Sequence, residues 1–381
     1  MSAARLERIG PAMQAYVDDG RVAGVMTMVA RRGQVVHWAA AGVRDVATDD
    51  PLEPDDIFRI YSMTKPITSV ATMMLVEEGK VALDDPVARF IPEFGDVMVL
   101  TDAGESLAPD RPITIEHLLT HTSGLTYGFF GDSPVDRAYR ESDFFTGAAG
   151  LDDFARQAAA LPLLASPGER WNYSISTDIL GRVIEVASGQ SLDAFFRARI
   201  TGPLGMDDTA FVVPADKRGR FTGHYAVQDG ALQLVDSPAD GEYTRTPAWL
   251  SGGGGLTSTA SDYIRFAQML LQDGRLGETQ ILAPETVQMM RANRLPEALA
   301  PIQLGNYLSP GYGFGLGFAV VVDADSSPEP DNDGVFRWAG AANTFFWIDP
   351  AEELIGLVWI QLNPFAAYAL EREFQPLVYE A

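Results

Sequence analysis

The strongest constraint on this chain is the position of its strand-like runs, which lie at both ends with helical patterns between them. Gly24–Ala30 and Gln34–Ala40 are β-like and flank Arg31-Arg32-Gly33, a hairpin-turn signal. Four more runs come late: "GFGLGFAVVV" (313–322), "VFRWAG" (335–340), "NTFFWIDP" (343–350) and "ELIGLVWIQL" (353–362), followed by a helical tail to about Tyr379. Apolar spacing predicts a helix over residues 4–19, and a long apolar segment from Ser62 to Glu78 ends at Gly79, a helix stop. From about 80 to 300 helices and loops dominate, among them 176–189 with Gly189 as its stop, 191–200 with Ser191 as a possible cap, and 258–274. Strands need partners, so the economical architecture is one sheet drawn from both chain ends with a helical region inserted. The expected division is a single catalytic unit, 1–381, with an α/β subdomain of about 1–70 plus 301–381 and a helical subdomain of about 71–300.

Bulk properties narrow the function. The 381 residues can bury a full-size core, and the absence of cysteine excludes disulfides, Cys-based zinc sites and a cysteine nucleophile. The net charge of −24 repels phosphate backbones and argues against a nucleic-acid partner. No apolar stretch has the length of a membrane span, and the N-terminal residues lack a signal-peptide apolar region, so the expected placement is cytoplasmic with no membrane partner.

The chemistry begins at "YSMTKP" (61–66). Proline is tolerated only in the first turn of a helix, so Pro66 places a helix start near Ser62. Residues i and i+3 share a helix face, which brings Ser62 and Lys65 within reach of each other. A serine hydroxyl becomes a good nucleophile when a base takes its proton, and a lysine is that base only when neutral. Burial and the positive end of a helix dipole both favour the neutral amine. The same helix end offers backbone N–H groups to a developing oxyanion. The plainer reading makes Ser62 a helix cap and Lys65 a solvated side chain.

Longer stretches decide between these readings. "FRIYSMTKPITSVATMMLVEEGKVALDDPVARFIPEF" (58–94), "ITIEHLLTHTSGL" (113–125), "PGERWNYSISTDILGRVIEVASG" (167–189), "GGGGLTSTASDYIRFAQMLL" (252–271) and "RWAGAANTFFWIDP" (337–350) resemble the serine β-lactamase and penicillin-recognising hydrolase superfamily. The branch holding class C β-lactamases, DD-peptidases and family VIII carboxylesterases is the most similar. The resemblance implies an α/β fold of β-lactamase type: an antiparallel sheet from both chain ends, flanked by helices, with a mostly helical insert. It implies that Ser62 is acylated, that Lys65 assists as base, and that Tyr173, in the Tyr-x-Asn position, relays protons. It places Trp338-Ala339-Gly340 where the family has Lys-Thr/Ser-Gly, so that the backbone N–H groups of Ser62 and Ala341 form the oxyanion hole, with Trp338 and Gly340 beside the substrate. No metal or organic cofactor is implied.

Two departures matter. Ile175 replaces the motif's Asn, and Trp338 replaces its Lys, so polar anchors for a β-lactam or a peptide C-terminus give way to an apolar wall. The resemblance to family VIII esterases and related acyltransferases therefore implies a small-molecule ester as partner, cleaved through an acyl-serine, with transesterification and weak β-lactam hydrolysis as possible side activities. A β-lactamase or D-amino-acid peptidase is the alternative, and a non-catalytic binding protein on the same scaffold is the remote one.

Rival sites fare worse. No serine lies in Gly-x-Ser-x-Gly, and only His37, His117, His121 and His224 are present. His117 and His121 have metal-ligand spacing, but "HLLTH" lacks the metalloprotease glutamate, and structural roles are expected for both. The run Gly252–Gly255 lacks nucleotide-binding spacing and is expected to shape a loop near the site. The segment 126–160 carries Tyr127, Phe129, Phe130, Tyr139, Phe144 and Phe145, which fit an acyl pocket or a packed flap equally well.

Overall fold

The computed structural model describes residues 1–305 and 307–381. Its centre is an eight-stranded antiparallel sheet made from the two chain ends, as the terminal strand runs imply. In chain order the strands are β1 (Gly24–Arg31), β2 (Gln34–Asp45), β3 (Asp50–Pro51), β4 (Tyr312–Phe314), β5 (Ala319–Val321), β6 (Phe336–Gly340), β7 (Thr344–Asp349) and β8 (Leu354–Trp359). Across the sheet they run β4-β5-β6-β7-β8-β1-β2-β3. The seam between the ends is the β1–β8 pair, in register from Met26 opposite Trp359 to Arg31 opposite Leu354.

Helices cover both faces, and the two-residue period of a strand sorts side chains between them. Met26, Met28, Phe346, Ile348, Ile355, Leu357 and Trp359 join a core with α2 (Thr64–Glu77), α3 (Ser176–Ser188) and α4 (Ala260–Leu271). Val25, Val29, Phe345, Trp347, Leu354 and Val358 join a second core with α1 (Ile9–Asp18) and α5 (Leu370–Tyr379). Burial on both faces explains why β7 and β8 read as near-continuous apolar runs.

Four expectations need correction. The helix over 4–19 is two, Ala3–Leu6 and Ile9–Asp18, because Pro11 supplies no N–H and its ring would clash with the Glu7 carbonyl of a continuous helix. The run 313–322 is a hairpin, β4 and β5, turned by Gly315 and Gly317. Ser191 stands where a cap would, but its hydroxyl donates to Asp193 and caps nothing; the helix Leu192–Phe196 then passes into a wider turn, Arg197–Thr201. Inside the helix-rich stretch a hairpin, His224–Gln228 with Ala231–Asp236, turns at Asp229-Gly230 and pairs in parallel with Leu362–Asn363.

Candidate active site

The long apolar segment forms α2, buried from Thr64 through Leu75 and entered by a tight 3-10 turn, Tyr61–Met63. Ser62 lies in that turn, half-buried, and Lys65 lies in the helix's first turn at 2% exposure. The three-residue spacing does bring them together: Lys65 Nζ is 3.3 Å from Ser62 Oγ. Burial drives the Lys65 pKa down from the ordinary 10.5 to about 7, against the opposing pull of Asp178. Lys65 is thus a base near neutrality rather than a solvated cation.

The entry to the turn is tightly held. Ile60 N–H donates to Leu256 O and Leu256 N–H donates to Thr64 Oγ1, each at 3.1 Å. Tyr61 has φ of 41°, a left-handed conformation uncommon outside glycine. Its phenol lies 3.2 Å from His224 Nδ1 and its ring is edge-on to Tyr243. Strained backbone of this kind persists only where its surroundings enforce it.

Tyr173 arrives on the irregular segment before α3. That segment is stitched to the 121–126 turn: Asn172 N–H donates to His121 O at 2.8 Å and Asn172 Nδ2 to Leu125 O at 2.9 Å. The His121 ring packs on Tyr173 at 4.9 Å, and its Nδ1 pairs with Ser174 Oγ. Burial, and then the charge on Lys65, hold the His121 pKa well below its ordinary value, so the imidazole is neutral. Burial also raises the Tyr173 pKa, while hydrogen bonds with the Ser62 and Trp338 side chains oppose the rise. Trp338 Nε1 donates to the Tyr173 hydroxyl at 3.3 Å, and Lys65 Nζ sits 4.5 Å from the centre of the Tyr173 ring. The phenol is therefore protonated at rest.

Trp338 and Gly340 come from β6, which ends beside the serine turn. A Cβ on Gly340 would lie 2.3 Å from Ile60 O, so only glycine admits this approach. Ala341 follows, exposed, and its N–H donates to no backbone acceptor among the described residues. Ile175 behaves differently from the expectation. It is fully buried in the core around α2 and α3, so it walls no substrate space. Trp338, Tyr127 and Phe130 instead form an aromatic face beside Tyr173, with rings 5.2, 5.4 and 5.7 Å from its own.

Two bonds of Lys65 and one carboxylate were not foreseen from the sequence, although Tyr127 and the glycine run were expected near the site or in a packed flap. Lys65 Nζ donates to Tyr127 OH at 2.9 Å and to Gly253 O at 2.7 Å. The first belongs to the aromatic-rich segment and the second to the glycine run. The carboxylate is that of Asp178, in the first turn of α3, whose Oδ1 accepts from Ser251 Oγ at 2.5 Å and from Gly253 N–H at 2.9 Å. An ionisable residue in the first turn of an otherwise apolar helix face was the available signal for Asp178. His117 is structural: it completes a capping box with Thr114 at the helix Ile115–Leu119. Among the described residues, no group of three or more His, Asp or Glu side chains is placed to hold a metal ion.

This fold, with a serine hydroxyl and a buried amine 3.3 Å apart at the head of a helix, is that of the serine hydrolases of the β-lactamase type. The chain belongs to the Beta-lactamase family, whose model matches residues 11–378. It is 41% identical over 361 residues to Protein Rv1367c of Mycobacterium tuberculosis, covering 91% of this chain and 88% of that protein. It is 32% identical over 374 residues to Esterase EstB of Burkholderia gladioli, covering 92% and 88%. Among solved structures it is similar to EstCE1, described as a hydrolase with promiscuous acyltransferase activity, with a TM-score of 0.84, 27% identity, and 99% and 98% of the two chains covered. No helix among the described residues is long and apolar enough to cross a membrane.

Proposed function

We propose that this protein is a carboxylesterase that cleaves small to medium, mainly apolar carboxylic esters through an acyl-Ser62 intermediate. The observation that carries the reading is the buried Lys65 amine, near neutrality and 3.3 Å from Ser62 Oγ. Neutral Lys65 takes the Ser62 proton as Oγ attacks the ester carbonyl. The backbone N–H groups of Ser62 and Ala341 receive the oxyanion, each such donor typically contributing about 3–4 kcal/mol in the transition state. Tyr173, protonated and steadied by Trp338, gives its proton to the departing alkoxide, and the Lys65 ammonium over its ring stabilises the phenolate left behind. The acyl-oxygen bond to the alcohol has then broken, the acyl-Ser62 bond has formed, the alcohol carries the Tyr173 proton, and the Ser62 proton rests on Lys65. Water repeats the sequence in reverse to free the acid.

The substrate class follows from the walls. Trp338 occupies the place of a lysine, and Tyr127 and Phe130 face the same Tyr173, so the site favours neutral apolar groups over a carboxylate. The similarity to Esterase EstB and to EstCE1 supports the ester reading, and the promiscuous acyltransferase activity of EstCE1 supports an alcohol as an alternative acyl acceptor. Purified protein should hydrolyse p-nitrophenyl butyrate faster than nitrocefin, and Ser62→Ala should abolish the reaction. Faster nitrocefin turnover would replace the esterase by a β-lactamase.

A further inference from the structure

Acceptance of the Ser62 proton requires the Lys65 lone pair to face Ser62, and the amine has three neighbours competing for its direction. Gly253 O is a pure acceptor and takes one N–H. If Tyr127 OH accepts the second, the lone pair is left for Ser62. The position of the Gly253 carbonyl therefore sets the direction of the base.

Asp178 fixes that carbonyl. Its Oδ1 takes the Gly253 N–H at 2.9 Å and the Ser251 hydroxyl at 2.5 Å, binding both ends of a three-residue bend. The packing is so close that a Cβ on Gly253 would lie 2.5 Å from Asp178 Oδ2. These two bonds donate to the carboxylate, as an ionised acid requires. Burial raises the Asp178 pKa, and the opposing influences begin with the charge of Lys65. The titratable groups facing this pair are Tyr127, Tyr173 and His121, and burial keeps all three uncharged.

We propose that Asp178 is a positioning residue of this site: through the Gly253 backbone it turns the Lys65 amine toward Ser62, and its carboxylate is the countercharge for the ammonium formed when Ser62 gives up its proton. The inference rests on the acyl-serine reading above. An opposite charge favours the charged form of its neighbour, so removing Asp178 should lower the Lys65 pKa while making the ammonium harder to form during acylation.

The test is the pH dependence of kcat and KM for p-nitrophenyl butyrate in wild type, Asp178→Asn and Gly253→Ala, with fluorophosphonate labelling of Ser62 alongside. Asn keeps an oxygen for Gly253 and Ser251 and removes only the charge. The ascending limb of kcat/KM should move to lower pH by about one unit, and plateau kcat should fall about tenfold with little change in KM. Gly253→Ala crowds the carboxylate and with it the Gly253 carbonyl, leaves the Ser62, Lys65 and Tyr173 side chains unchanged, and should move the limb the same way, which decides the matter if Asp178→Asn fails to fold. An active wild-type protein whose limb stays in place in the folded variants contradicts the role of Asp178 alone. A wild-type protein with neither turnover nor labelling contradicts the acyl-serine reading and this inference with it.

Discussion

At the scale of single residues, the site is an arrangement of protons around one amine. In the proposed mechanism Lys65 acts as the neutral amine, so kcat/KM should rise with pH through about 7 and fall away below it, as a pH-rate profile would show. Tyr127→Phe removes one of the three neighbours of the amine and frees an N–H to turn toward Ser62. It should lower kcat about ten- to hundredfold; steady-state rates equal to wild type would remove Tyr127 from the account. Trp338→Phe deletes the donor to the Tyr173 hydroxyl while keeping an aromatic wall, and should lower kcat about three- to tenfold with KM nearly unchanged. The Ser62–Lys65 contact was legible because three-residue spacing on a helix is a local rule. Tyr173 was legible only through resemblance, since it reaches Ser62 from a distant part of the chain. Tyr127, Gly253 and Asp178 were not legible as a set, because nothing local records which side chains meet when three distant segments converge on Lys65.

At the scale of elements, glycine placement accounts for much of what sequence patterning misread. Residues 313–322 have the apolar density of one strand, yet Gly317 adopts φ of 99° in the turn between β4 and β5. Its N–H donates to Leu119 O, and a Cβ there would lie 2.2 Å from Ser69 Oγ on α2. Gly317→Ala should therefore lower the thermal unfolding midpoint by about 5 °C or more, measurable by calorimetry, and an unchanged midpoint would mean that the turn accommodates the methyl group. The hairpin at Asp229-Gly230 carried a readable turn signal, which the surrounding helical patterns overshadowed. Helix α2 was readable in extent because Pro66 and Gly79 punctuate it. Its 3-10 entry was not, because the Tyr61 conformation is imposed by His224, Tyr243 and the Leu256 contacts.

At the scale of the whole molecule, the two ends of the chain make one sheet, and the serine turn is held against its β6 strand. We propose that about 1–70 with 301–381 and about 71–300 act as two subdomains with the site between them: Ser62 and Trp338 from one, Tyr127, Tyr173 and Gly253 from the other. The ends also close on each other, since Ser2 N–H donates to Ala381 O at 2.5 Å and Arg8 pairs with Glu380 at 3.0 Å. Truncation after Ala369 removes α5 and uncovers the sheet face bearing Val25, Trp347 and Val358. It should abolish both native circular dichroism and fluorophosphonate labelling, although no residue of the site is removed; retention of both would show that α5 is dispensable. The sheet was foreseeable because strands need partners, whereas the order of its strands follows from pairing that no single segment encodes. The most direct test of the account is intact-mass and peptide analysis after a slow ester substrate. Catalysis through acyl-Ser62 requires one acyl group on the peptide containing Ser62, absent in Ser62→Ala; turnover without an adduct, or an adduct on another residue, would contradict it.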